Sequence, residues 1–180
     1  PRVWGRLESL PLATDVGGGR TQWDYAALVE ILEPPHRIVA ADGTRALVAT
    51  IGGFGGVRVF ERELDSGSWI ERALLERSQP QRDDQFGASL SIRDDLAVVG
   101  APGHGRSGAA YVFSRDPVSG EWTEESLISA PSPFPNSAFG AAVVIDGEAV
   151  LIGHPGTAES RGIVVEFTWE EARGTWTEQD

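Results

Sequence analysis

Three histidines, His36, His104 and His154, are the only imidazoles of the chain. His104 and His154 open equivalent loops of a repeated unit, the placement a shared metal or a general base would need. Their registers differ by three positions, because His154 follows Gly153 directly while His104 stands four past Gly100. No carboxylate keeps a fixed spacing from both, so they read as surface loop histidines. Asp83-Asp84, beside Arg77 and Arg82, would suit a cation or a polar substrate, but as a run of opposite charges it reads as a solvated, self-paired loop. The string Gly105-Arg106-Ser107-Gly108 lacks the strand–turn–helix setting of a nucleophile elbow. Gly52 to Gly56 (GGFGG) would cradle phosphate only ahead of a helix N-terminus, and no helix follows. With neither cysteine nor lysine, thiolate chemistry, Schiff bases and a P-loop lysine are excluded. No catalytic residue is assigned, and the chain is expected not to be an enzyme.

The 180 residues carry 15 cations, all arginine, against 27 anions, for a net charge of −12. That field has the wrong sign for nucleic acid or an anionic membrane. No apolar run approaches the roughly 20 residues that span a bilayer. The length suits one domain with a real core. The chain begins Pro1-Arg2-Val3-Trp4 without a methionine or a visible signal peptide, as expected of a processed chain or a piece of a longer one.

The elements that would position these residues come from an internal repeat. Trp69, Trp122 and Trp176 recur at intervals of 53 and 54 residues. Each stands two residues after a glycine (Gly67, Gly120, Gly174) and nine after a phenylalanine (Phe60, Phe113, Phe167). Phe86-Gly87 and Phe139-Gly140 are also 53 apart, each pair followed after 14 residues by Gly100 or Gly153. Each copy reads as four short strands. In the second they are 86–92 (FGASLSI), 96–100 (LAVVG), 108–114 (GAAYVFS) and 121–128 (EWTEESLI), with turns at 93–95 and 116–120. The third repeats this as FGAAVVI, AVLIG, GIVVEF and TWTEQ. The first has strands at 38–41, 46–49, 56–61 and 68–75, with Pro35-His36 where the others have Phe-Gly, and residues 2–7 and 22–32 read as the end of an earlier copy.

Such a unit cannot bury both of its faces alone, whereas radial stacking buries them. The fold class is therefore all-β, a β-propeller fragment of repeated four-stranded antiparallel blades, in preference to a β-sandwich. The divisions are a half blade with an insertion at 1–34 and blades at 35–81, 82–134 and 135–180.

At these residues the chain resembles the FG-GAP repeat family, whose blades also build integrin α-subunit propellers. Phe86-Gly87 with Gly100-Ala101-Pro102 supplies both halves of the name, and Phe139-Gly140 with Gly153-His154-Pro155 supplies a copy with its middle residue changed. The aromatic strand followed by G-x-W is similar to the bacterial version. The motif Phe and Trp residues read as core, with Phe86 and Phe139 wedged between blades and glycines where sheets approach. Calcium-binding members carry a D-x-D-x-D-G loop, because Ca²⁺ gathers six to eight oxygens. Here the first hairpins are only Asp42-Gly43-Thr44, Arg93-Asp94-Asp95 and Asp146-Gly147-Glu148, which read as tight turns, so no metal and no cofactor are expected.

Propeller geometry puts the loops that leave the second strand (50–55, 102–107, 154–161) on one rim with those that enter each blade (76–85, 131–138). Recognition concentrates on such loops, and in integrins that face binds ligand. By this resemblance the candidate ligand-facing residues are Arg82, Asp83, His104, Arg106, Phe134, Asn136, His154 and Arg161. The family implies an extracellular or envelope-exposed binding, adhesion or structural scaffold with a protein or glycan ligand, or alternatively a module of a larger extracellular hydrolase or lyase. Three and a half copies do not close a ring of four to eight blades, so further blades of the same chain or self-association are expected partners.

Overall fold

The computed structural model describes residues 36–50, 55–131, 134–156 and 161–179. Its twelve strands form three separate four-stranded sheets. The first holds β1 (His36–Ala41), β2 (Arg45–Thr50), β3 (Gly56–Arg62) and β4 (Trp69–Leu75). The second holds β5 (Ser89–Arg93), β6 (Leu96–Ala101), β7 (Ala109–Arg115) and β8 (Trp122–Ser129). The third holds β9 (Val143–Asp146), β10 (Ala149–His154), β11 (Ile163–Glu170) and β12 (Thr175–Glu178). Each is an antiparallel meander in chain order, and no helix occurs among the described residues. The first strands β1, β5 and β9 lie against one another, while the outer strands meet as β4 with β8 and β8 with β12. This is the blade arrangement of a propeller. The expected half blade lies outside the described residues.

The period-2 alternation of a strand shows how the blades are glued. In the middle sheet Ala97, Val99, Ala101, Tyr111 and Phe113 pack with Leu47, Ala49, Val57, Val59 and Leu75 of the first. Their sequence neighbours Val98, Ala110 and Val112 point the other way and pack with Val143, Ile145, Val150, Ile152, Val165 and Phe167 of the third. A sheet covered on both faces must be apolar at every position, which is why β6 and β7 read as unbroken apolar runs. The third sheet buries one face only, and Val144 (52% exposed) and Val164 (69%) stand on the other.

Phe86 and Phe139 do wedge between blades, each at the centre of one inter-blade core. Phe86 meets Tyr111 and Phe113 edge to face, and burying such a ring contributes about 1.5–3 kcal/mol. Trp122 and Trp176 pack half-buried on the same two cores, and Trp69 on Ala46, Val48 and Phe60. One boundary moves. The expected strands 86–92 and 139–145 begin only at Ser89 and Val143, because Gly87 (φ +92) and Gly140 (φ +87) turn the backbone through a region closed to strands. Gly100 marks the closest approach: a Cβ there would overlap Gly140 O and Ser89 Oγ.

Candidate functional site

The connectors that enter the second and third blades repeat one unusual backbone. Asp83 (φ +61), Gln85 (φ +59) and Gly87 in one match Asn136 (φ +59), Ala138 (φ +55) and Gly140 in the other. A non-glycine residue in the left-handed region costs about 1–2 kcal/mol, least for Asp and Asn. Four such residues persist because their neighbours are pinned. The Asp84 and Ser137 carbonyls accept hydrogen bonds from Gly103 N (3.0 Å) and Gly156 N (2.8 Å), the glycines of Ala101-Pro102-Gly103 and His154-Pro155-Gly156.

These bonds lace the loops into one rim. Gly105 N donates to Gln81 Oε1 (3.0 Å). On the other side Asn136 N donates to Arg106 O (2.7 Å) and Phe139 N to Ser107 O (2.8 Å). The segment 134–138 is thus held between 102–107 and the loop that follows His154. Arg82, Asp83, Arg106, Phe134, Asn136 and Arg161 are all exposed on it.

Two of the eight candidate residues are placed differently. His154 is 1% exposed and faces the second blade, its ring edge-on to Phe139 at 5.4 Å. It occupies the position of Ala101, where strand alternation turns the side chain inward, and neither ring nitrogen has a hydrogen-bond partner. That burial pushes its pKa below the usual histidine value. His104 is held rather than free. Its side chain is 11% exposed, with Nδ1 3.2 Å from Tyr111 Oη and 3.9 Å from Asp84 Oδ2. Tyr111 Oη has one proton to donate, and Gln79 O lies at 3.3 Å. With the Tyr111 proton on Gln79 O, the histidine donates from Nδ1 and Nε2 is the acceptor nitrogen; with that proton on His104 Nδ1, the roles reverse. Burial, and next the Asp84 charge, push the Tyr111 phenol up to about 12, so it stays a neutral donor.

The expectation of a solvated loop holds for Asp83 and fails for Asp84. Arg77 and Asp84, 3% and 1% exposed, form a two-pronged ion pair: Nε donates to Oδ2 at 2.7 Å and Nη2 to Oδ1 at 2.8 Å. Asp84 also accepts from Phe86 N (3.1 Å), and the guanidinium lies 4.5 Å over the Phe86 ring. The buried network Arg77, Asp84, Tyr111 and His104 reaches the rim at His104. The sequence reading set Arg77 beside Asp84 in a self-paired loop but did not place the pair in the core, and it missed Tyr111. The signal was a mismatch between copies, since Arg77 aligns with Ala130 and Asp84 with Ser137.

At the opposite end of the first two sheets four charged side chains pair across the seam. Arg45 and Arg115 share Glu61 and Asp95 at 3.2–3.3 Å across the first two blades. The hairpin turns there are tight, as expected, and the Asp42 carboxylate accepts from Thr44 N and Arg45 N of its own turn.

The FG-GAP repeat model matches residues 69–113, from β4 through Phe86, Gly87 and Gly100-Ala101-Pro102 to β7. Over these residues the chain is similar to an FG-GAP repeat. No curated protein matches the chain. Among solved structures the chain is similar to the periplasmic gluconolactonase PpgL of Pseudomonas aeruginosa, with a TM-score of 0.51 and 19% identity over 81% of this chain and 39% of that one. At that identity the likeness is one of fold, and this chain spans well under half the length of the other. It corrects the expectation that the chain is not an enzyme. A gluconolactonase is built on this fold, so the architecture gives no ground for excluding catalysis.

Proposed function

We propose that this chain is a segment of a longer β-propeller working outside the cell or in its envelope, and that its laced rim is the surface that takes a protein or glycan ligand. The observation that carries this reading is the contrast between the two ends of the blades. Rim loops are fixed by backbone hydrogen bonds yet leave Phe134 and Asn136 open to solvent, whereas at the hairpin end of the first two blades Arg45 and Arg115 are paired with Glu61 and Asp95. A rigid scaffold with open loop side chains loses little entropy on binding. The periplasmic neighbour and the FG-GAP repeat support the location.

A thermal-shift screen of the 180-residue chain against soluble glycans and peptides tests it. A hit should stabilise the chain, and Asn136→Ala together with Phe134→Ser should abolish the shift. A hit indifferent to both substitutions would place binding elsewhere and overturn the reading.

The name of the neighbour favours a second reading, in which the rim forms part of the active face of a larger enzyme acting on a sugar lactone. His104 Nε2, in the form whose Nδ1 donates to Tyr111, would then be the base this chain contributes. Hydrolysis of gluconolactone above the buffer rate, lost in His104→Ala, is the expected result, and a rate equal to buffer would remove this reading.

A further inference from the structure

We propose that the outer face of the third blade docks a following blade that enters with a Phe-Gly connector and sets an arginine against Glu166; this rests on the chain being a segment of a longer propeller. Strand pairing puts the three sheets in one register. The row Ala40, Leu47, Val59, Ala73 crosses the first, and the row Ser91, Val98, Val112, Ser126 crosses the second. At the centre of these rows Leu47, Val59, Val98 and Val112 are fully buried, each in the core shared with the following blade. In the third sheet the same row is Val144, Leu151, Glu166. Strand alternation sets Glu166 on the face opposite Val165 and Phe167, which pack on the second blade, and it is exposed. A carboxylate therefore stands where the other two blades bury a valine.

The two seams within the chain show how such a face is covered. A Cβ at Gly55 would stand 3.0 Å from Phe86 O, one at Gly108 would overlap Phe139 O, and one at Gly100 would overlap Gly140 O. These glycines thus admit the Phe-Gly backbone of the next blade. Their counterparts Gly153 and Gly162 meet only their own blade, and with Ala142, Pro155 and Val164 they line a cleft of about 530 Å³. The polar contacts differ. In the second seam Ser89 Oγ donates to Gly140 O (2.8 Å) and Ser91 Oγ accepts from Ile145 N (3.0 Å). Ala142 and Val144 hold those two positions in the third blade, so polar recognition there falls to Glu166. A neighbour that covers the exposed Val144 and Val164 also covers the carboxylate, which is strongly unfavourable unless the neighbour brings a cation. The chain's own cations are all arginine, whose planar fork takes a carboxylate through two hydrogen bonds.

The test mixes the 180-residue chain with its Glu166→Arg variant, whose third blade then offers an apolar sheet with a central cation, and follows association by sedimentation equilibrium. The mixed pair is expected to associate about tenfold more tightly than either chain with itself, and to lose that advantage at high salt. Mixing with Glu148→Arg, the same charge change in an exposed hairpin turn, is expected to gain nothing. A mixed pair no tighter than the separate chains, with Val144→Lys still lowering self-association, would overturn the arginine partner and leave the longer propeller standing. An equal gain from Glu148→Arg would reduce the effect to net charge and overturn the site. If neither Glu166→Arg nor Val144→Lys alters association, the face docks nothing, and the proposal and the longer-propeller reading fall together.

Discussion

Arg77 donates two hydrogen bonds, 2.7 and 2.8 Å long, to the two oxygens of Asp84 inside the seam between the first two blades. The pair closes the connector 77–84 on itself and sets Asp84 to cap Phe86 N, so one buried charge pair fixes both the blade seam and the base of the rim. Breaking a buried pair leaves an uncompensated charge, which costs about 3–5 kcal/mol. Asp84→Ala and Arg77→Ala are each expected to lose stability of that order in urea denaturation. The double variant should lose less than the sum of the two.

Blade spacing gives a second prediction. A Cβ at Gly100 would overlap the Gly140 carbonyl of the next blade, whereas one at Gly153 would meet Ala142 without overlap, its Cβ at 3.2 Å and its backbone at 3.6 Å. Gly100→Ala is expected to destabilise by about 1–3 kcal/mol through overpacking. Gly153→Ala should stay within about 1 kcal/mol of the parent, because no following blade presses on it among the described residues. Chemical denaturation of the two variants side by side checks the contrast.

The buried His154 gives a pH dependence with a definite sign. Its folded pKa lies below the ordinary value near 6.5 because burial disfavours the charged ring. The unfolded state therefore binds the proton more readily. Stability is full above about pH 6.5, and it falls as pH drops from there toward the folded pKa. The melting temperature is expected to fall between pH 7 and 5.5, and to fall less in His154→Ala, which restores the residue type found at Ala101. Identical pH slopes in the two proteins would show that other groups carry the effect.

The outer face of the third blade exposes Val144 and Val164. In the longer propeller proposed above a further blade covers that face. In the 180-residue chain alone it is expected to drive association, and Val144→Lys with Val164→Lys should shift the light-scattering mass toward the monomer. An unmodified chain that is monomeric at high concentration would contradict this.

The architecture was legible because a repeat states its own period. Phe86 and Phe139, 53 apart, and the three tryptophans mark the blades and the inter-blade cores in the sequence itself. What alignment of copies could not show is where copies differ for a reason. Asp83-Asp84 beside Arg77 and Arg82 reads in sequence as a solvated, self-paired loop, because a buried ion pair and an exposed one share a composition and only packing distinguishes them. His154 looked like a loop residue beside Pro155, while strand parity turned it inward.

The central claim is that the rim, rather than the hairpin end or the blade edges, takes the ligand. Backbone amide chemical-shift mapping of the 180-residue chain, titrated with the strongest ligand from the screen, tests it most directly. Shifts are predicted for residues 79–85, 102–107, 134–138 and 155–162, with the turns at 42–44, 94–95, 116–120 and 171–174 unmoved. Shifts centred on those turns, or on the cleft between β4 and β8 near Trp122, would contradict the account.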